Sequence, residues 1–187
     1  MVINEKALIR EMKEAYKGTG YTVAVDQDDT WTVSCGYWLA QIDGQHNVPN
    51  EILSLIVLHM GMLPKAGTAY RVYKTKDGPA VQDEVLSVAL SYIKKLDIQR
   101  QETEDKPVYI RATRLRLGNC RVWQQAENLQ ILLIDPRYES VIDSKNNVRI
   151  VADTLFKEGE ISCVYVCPVS KEQDKAQIQH LEQMQWI

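Results

Sequence analysis

The spacing of apolar residues at the start of the chain predicts a first helix. Leu8, Met12 and Tyr16 recur every four positions within residues 4–17, and they place one apolar stripe along a helix. An asparagine at the first position can cap this helix, and Gly18 can end it. The pattern therefore predicts an amphipathic helix that buries one side.

The remaining apolar runs predict an α+β protein. They predict strands at 21–25 and 31–42, a helix at 49–62, a strand at 69–74, a helix at 81–96, and strands at 108–117, 120–126, 129–134, 148–155 and 161–168. The helix at 49–62 is apolar on nearly every side, so we expect it to be buried. A single helical turn is expected within 136–142, and the polar stretch 97–106 is expected to be a mobile linker.

The order of these elements predicts two related halves. Each half would contain helices and an antiparallel sheet, and the two would pack as one unit. The expected boundaries are 1–78 for the first half, 79–170 for the second (with the linker inside it) and 171–187 for a C-terminal tail.

Composition narrows the class of protein without identifying a partner. The 187 residues are 45% apolar, which is enough for a sizeable core, and the net charge is −3. No secretory signal is visible at the start, and the longest strongly apolar stretch, 52–63, is too short to span a bilayer. We therefore expect a cytoplasmic protein without a membrane partner, in which the four cysteines are reduced thiols.

A search for enzyme motifs is mostly negative. The Gly18-Thr19-Gly20 sequence precedes a strand rather than a helix, and no nucleophile elbow or His-x-x-x-His pair occurs. The acidic cluster Asp26, Asp28 and Asp29 lacks the glycine and distal glutamate of a calcium loop, which favours a hairpin turn. His59 is expected to be a hydrogen-bonded core histidine. We predict no metal, no cofactor and no catalytic residue, although an enzyme whose site is assembled from distant residues stays open.

The first helix carries a one-sided basic stripe. Its members are Lys6, Arg10, Lys13 and Lys17, which fall within about 60° of arc at 100° per residue. The glutamates of the helix lie outside that arc. The stripe is either a phosphate-binding surface or an ordinary solvated face whose arginine pairs with a glutamate one turn later.

A second basic region follows the predicted linker. Between Asp105 and Glu127 the sequence contains no acid, but it contains Lys106, Arg111, Arg114, Arg116 and Arg121. Arg114 and Arg116 are two apart and would share a strand face. Arginine suits phosphate because its planar guanidinium makes paired contacts and is always charged. The alternative is a sheet face whose arginines pair with acids from elsewhere.

Four stretches of the sequence resemble DNA sliding clamps. The helix at 49–62 is preceded by Val48 and followed by Leu63-Pro64 and a strand, as in a segment of those clamps. Later stretches are similar to the last repeat of bacterial clamps: Ile134-Asp135-Pro136-Arg137-Tyr138, Val148-Arg149-Ile150 and Val164-Tyr165-Val166-Cys167-Pro168-Val169. The resemblance implies helices that line a ring and present positive charge to DNA, and the helix at 4–17 would suit that role.

These observations lead to two hypotheses of different classes. The first is a non-enzymatic protein, clamp-like in form, that holds the nucleic-acid backbone without reading its sequence. Its contacts would be Lys6, Arg10, Lys13, Lys17, Arg111, Arg114, Arg116 and Arg121. The alternative is a protein-interaction or self-association module without nucleic-acid binding. In it the terminal Trp186 and Ile187 would dock on a partner, because two large apolar residues end an otherwise polar tail.

Overall fold

The computed structural model describes residues 1–45, 47–103, 109–125 and 131–169. Its helices are α1 (Glu5–Lys17), α2 (Asn50–Met60), α3 (Leu86–Ala89), α4 (Ser91–Thr103) and α5 (Pro136–Glu139). Its strands are β1 (Tyr21–Val25), β2 (Thr30–Cys35), β3 (Trp38–Asp43), β4 (Thr68–Thr75), β5 (Gly78–Glu84), β6 (Ile110–Leu117), β7 (Cys120–Gln125), β8 (Ile131–Ile134), β9 (Arg149–Val151), β10 (Thr154–Glu158) and β11 (Ser162–Val166). The predicted α+β class is confirmed.

Eight of these strands form one antiparallel sheet, in the order β5-β4-β1-β2-β3-β11-β10-β9. The other three form a small sheet in the order β6-β7-β8. In the large sheet β3 pairs with β11, with Trp38 opposite Val166 and Ile42 opposite Ser162. Strands from the start and the end of the chain are therefore neighbours. The domain boundaries stay a prediction, and the sheet runs continuously across them.

Both faces of the large sheet are covered at β3, β10 and β11. On one face, side chains such as Val23, Val33 and Val164 join Leu8 and Met12 of α1 in the main core. The opposite face packs against α4 in a second cluster, which contains Leu39, Ile93, Leu96, Val151, Phe156, Cys163 and Tyr165. Every residue of β11 is buried, because consecutive side chains point to the two covered faces.

Helix α1 forms for the reasons visible in the sequence. The Asn4 side chain accepts a hydrogen bond from the Ala7 N–H at 3.2 Å, and Gly18 ends the helix. The Asn4 backbone N–H donates to the Val141 carbonyl at 2.8 Å, so the start of α1 is fixed to the segment that follows α5. The predicted bounds of this helix are confirmed to within one residue.

Helix α2 is less buried than its apolar sequence predicts. The buried residues of α2 are Ile52, Leu55, Ile56, His59 and Met60. On the other side of the helix, Leu58 is 72% exposed and Val57 is 42% exposed. The expectation of burial on every side was wrong. Only one side of α2 contacts α1, β4 and β5, and its outer side has no cover in the described part of the chain.

The predicted helix at 81–96 is divided between a strand and two helices. Residues 78–84 instead form β5, whose Val81 lies opposite Val72 of β4. A β4–β5 hairpin forms there instead of a helix. A tight turn places Thr75 opposite Gly78, and the φ of Gly78 is 128°, a value that favours glycine. The expected linker at 97–106 is also wrong as far as residue 103, because α4 continues to Thr103 and Leu96 anchors it in the second cluster. Residues 104–106 lie outside the described part.

Two predicted long strands are hairpins. The stretch 31–42 turns between Cys35 and Trp38, which lie opposite each other in β2 and β3. The stretch 148–155 turns between Val151 and Thr154, through two residues with φ values of 50° and 62°. Each two-residue turn shifts the buried alternation by one position: Trp31 and Val33 face the main core before the first turn, and Trp38, Ala40 and Ile42 face it afterwards.

Candidate nucleic-acid interface

The basic stripe of α1 lies on the surface as predicted. Lys6, Arg10, Lys13 and Lys17 are all exposed. The opposite side of the helix is buried, and Leu8 and Met12 are fully buried. The helix therefore holds its cations on a well-packed platform that faces away from the core.

Two members of the stripe are paired with acids of the same helix. The Arg10 Nε lies 2.9 Å from an oxygen of Glu11, and the Lys17 Nζ lies 2.9 Å from an oxygen of Glu14. The hydrogen bond and charge of Lys17 hold the pKa of Glu14 below its usual value. Among the described residues, no ion pair includes Lys6 or Lys13. These two lysines carry the uncompensated charge of the stripe.

The arginines of the small sheet do not share one face. Arg111 lies opposite Gln124 of β7, whereas Arg116 lies opposite Arg121. Because Gln124 and Arg121 are three positions apart on a regular strand, Arg111 and Arg116 point to opposite faces. Arg114 lies within the register shift between Ala112 and Arg116, so simple alternation does not relate it to Arg116. All three of these arginines are exposed, and Lys106 lies outside the described residues.

Arg121 belongs to a buried ion cluster rather than to an open surface. Its Nη1 lies 3.3 Å from the Glu139 carboxylate, and its side chain is 21% exposed. Glu139, at the end of α5, also accepts a hydrogen bond from the Trp123 indole at 3.3 Å and pairs with Lys145 at 3.1 Å. Since the Glu139 side chain is only 6% exposed, its cations are needed to compensate a desolvated charge.

The two basic regions approach each other at α5. Arg10 donates to the Ser140 hydroxyl at 2.7 Å, and Arg121 pairs with the adjacent Glu139. The described structure therefore places Arg10 of the stripe and Arg121 of β7 against neighbouring residues of the α5 segment. Lys13, by contrast, lines a groove between α1 and α2 together with Glu51 and Leu58.

A second groove is lined by Arg10 and has a volume of about 520 Å³. Arg10, Tyr37, Trp38, Arg137 and Tyr138 are among its lining residues. The rings of Tyr37 and Tyr138 are stacked with their centroids 4.9 Å apart and their planes 4° apart. We call this site the Arg–Tyr groove.

Arg137, which lines this groove, is held by an ion pair and by a contact with an aromatic ring. Arg137 makes a two-point contact with the Asp135 carboxylate, at 3.1 Å through Nε and 2.6 Å through Nη2. That contact holds the pKa of Asp135 below its usual value. The Arg137 guanidinium carbon also lies 5.3 Å from the centroid of the Tyr138 ring. Burial raises the pKa of Tyr138, so its hydroxyl stays neutral.

Apart from Arg10, the groove residues were not predicted from the sequence as site residues. They come from three distant segments (α1, the β2–β3 turn and α5), and no spacing rule connects them. The Asp135-Pro136 pair was the available signal, because an aspartate before a proline is typical of a helix start. In the structure Asp135 caps α5 by accepting from the Arg137 N–H at 2.9 Å.

The histidine and the acidic turn match their predictions. His59 is 7% exposed, its Nδ1 lies 3.2 Å from the Tyr21 hydroxyl, and its ring stacks on Tyr16 at 3.7 Å. Burial lowers the pKa of His59, and the nearby charge of Lys13 adds to that shift. Asp26 accepts from the backbone of its own turn, as a hairpin requires.

Metal-ligating side chains do not cluster in the part of the chain that the structure describes. Cys163 is buried in β11, and Cys167 lies beyond the end of that strand. Within the described ranges, no helix has the length and apolar character needed to cross a membrane. Trp186 and Ile187 lie outside the described residues.

Comparison of the chain with protein-family models, with curated proteins and with solved structures found no match. The function is therefore argued from the surface itself.

Proposed function

We propose that the protein binds nucleic acid without catalysis, by holding the phosphate backbone against α1. The observation that carries the proposal is the one-sided, exposed stripe of Lys6, Arg10, Lys13 and Lys17 on a helix whose other side is firmly packed. Lysine and arginine side chains on such a platform replace counterions along the backbone, which gives sequence-independent affinity. The exposed arginines of the small sheet extend the contact on one face only, because Arg111 and Arg116 point to opposite faces. Arg121 supports the fold through Glu139. The clamp-like form of this function rests on the sequence resemblance alone.

Charge reversal at the two lysines without ion pairs tests the proposal. The variant Lys6→Glu/Lys13→Glu is expected to lower the affinity for a DNA duplex about tenfold at about 50 mM salt, because two phosphate contacts become repulsive. The slope of log K against log salt should fall by about 2 in magnitude. The matched control is Lys94→Glu/Lys95→Glu, which changes net charge equally at two exposed positions of α4, on the opposite face of the large sheet.

Filter binding over a salt series separates the outcomes. Equal losses in both variants would mean that net charge, not the α1 stripe, governs binding. Absence of wild-type binding at about 50 mM salt would refute the proposal outright.

A second function is favoured by the outer side of α2. Leu58 (72% exposed), Met62 (48%) and Leu63 (43%) are apolar residues on or just after this helix. Exposed apolar groups in proximity are typical of protein-interaction surfaces. If the protein is such a module or self-associates, Leu58→Gln should reduce the mass measured by light scattering to that of a monomer. Removal of residues 183–187 tests in the same assay whether Trp186 and Ile187 contribute.

A further inference from the structure

The Arg–Tyr groove has a stacking platform beside the α1 stripe. Tyr37 lies in the tight turn between β2 and β3, so its ring projects from the sheet, and 48% of the residue is exposed. One face of that ring is covered by Tyr138. A planar ring of a ligand can add to this pair as a third layer, because offset aromatic stacking tolerates any base.

Guanidinium groups flank the platform in fixed positions. Arg137 is held by Asp135 and by its contact with the Tyr138 ring. Arg10 is held by Glu11 and by the Ser140 hydroxyl. Both side chains remain more than half exposed, at 68% and 55%. Because their orientations are set before a ligand arrives, a phosphate oxygen meets donors that lose little conformational freedom on binding.

Net charge alone does not make this groove attractive to a polyanion. Glu11 and Glu14 line it together with Arg10 and Arg137. Each of these acids is already engaged, Glu11 by Arg10 and Glu14 by Lys17. The positive and negative groups nearly balance, so selectivity in the groove has to come from a ligand that adds ring stacking to its phosphate contacts.

We infer that the Arg–Tyr groove takes an unpaired base of a single-stranded nucleic acid, stacked on Tyr37, with the adjoining phosphates on Arg10 and Arg137. This inference rests on the proposed function and adds a substrate class to it. In a duplex the bases are stacked on each other and are not free to reach the tyrosine pair. The groove then favours single strands over duplexes, while the rest of the α1 stripe holds the backbone of either.

The test compares three probes and three variants by fluorescence anisotropy at one low salt concentration. The labelled probe is a 12-nucleotide oligothymidine, and the others are a 12-base-pair duplex and an inorganic polyphosphate that has no bases, each used as competitor. Tyr37→Phe keeps the ring, Tyr37→Leu keeps an apolar side chain without the ring, and Tyr109→Leu removes a tyrosine of similar exposure (53%) outside the groove.

We expect Tyr37→Leu to weaken oligothymidine binding about tenfold, and Tyr37→Phe and Tyr109→Leu to change it less than twofold. The affinities of the duplex and of the polyphosphate, measured as competitors, should be the same in all three variants as in the wild-type protein. If Tyr37→Leu leaves the oligothymidine affinity unchanged while Lys6→Glu/Lys13→Glu reduces it, the inference is wrong and the proposed function stands. If Tyr37→Phe loses as much affinity as Tyr37→Leu, the hydroxyl is the recognised group and stacking is wrong. If none of the probes binds the wild-type protein, both proposals fail.

Discussion

The α1 stripe and the small-sheet arginines have similar charge in sequence but differ as surfaces. On α1 the helical period places four cations on one side, and its buried side turns Glu11 inward. On β6 and β7 a register shift and cross-strand pairing send Arg111 and Arg116 to opposite faces. Arg121 is withdrawn into a cluster with Glu139. The comparison teaches that a run of like charge becomes a surface only when the local geometry keeps the charges on one side.

The largest effect that separates the two kinds of charge is expected at Arg121. Replacing it in Arg121→Met leaves the buried Glu139 carboxylate with fewer cations, and should lower the free energy of unfolding by about 2 kcal/mol. The matched control is Arg116→Met, directly opposite on β6, which should change stability by less than about 0.5 kcal/mol. Urea denaturation measures both. Equal losses in the two variants would place Arg121 among the surface arginines after all.

A smaller effect is expected when the open strand arginines are reversed. Arg111→Glu/Arg116→Glu should lower duplex affinity only about threefold at about 50 mM salt, against about tenfold for Lys6→Glu/Lys13→Glu. The reason is that one backbone path cannot engage two faces of a sheet. Filter binding of the two variants side by side decides the matter. A loss in the strand variant as large as in the α1 variant would show that both regions contact the same phosphate path.

The smallest effect is expected on the stability of the folded protein at lower pH, through a histidine that packs on α1. His59 stacks on Tyr16 of α1 and meets the Tyr21 hydroxyl, and burial lowers its pKa in the folded protein. The unfolded chain then binds a proton more readily than the folded one. The contribution of neutral His59 to the free energy of unfolding should therefore be fully present above the unfolded pKa of about 6.5. It should decline as the pH falls below that value. In His59→Phe, which keeps a ring beside Tyr16, this decline should be reduced.

Thermal unfolding of both proteins between about pH 7.5 and pH 5.5 measures that difference, since most carboxylates remain ionised across the range. A wild-type protein that loses no more stability than His59→Phe would contradict the depressed pKa of the histidine.

Local features of the sequence predicted the parts of the fold that local forces determine. Asn4, Gly18 and the spacing of Leu8 and Met12 were enough to predict α1, and the apolar run of β11 was enough to predict a strand. The helix predicted at 81–96 begins too early, because residues 81–84 belong to β5 although Val81 also fits a helical stripe. Only its pairing with Val72 favours a strand, and that pairing depends on tertiary structure.

The candidate site divides in the same way. The α1 stripe was predictable because four residues of one helix suffice to define it. The Arg–Tyr groove was not, since Arg10, Tyr37 and Arg137 meet only after α5 docks beside α1. Four of the nine tyrosines belong to two aromatic clusters. Tyr16 and Tyr21 enclose His59, and Tyr37 and Tyr138 form the exposed stack.

Strand β11 is synthesised last of the described strands, although it lies inside the large sheet and not at its edge. This strand lies between β3 and β10, yet it is among the last described segments to leave the ribosome. Until it arrives, the β3 side of Trp38, Ala40 and Ile42 is an open strand edge, which is prone to pairing with other chains. The central sheet is thus completed only after translation of residue 166, and a shortened chain that lacks β11 is expected to aggregate rather than to fold as a smaller protein.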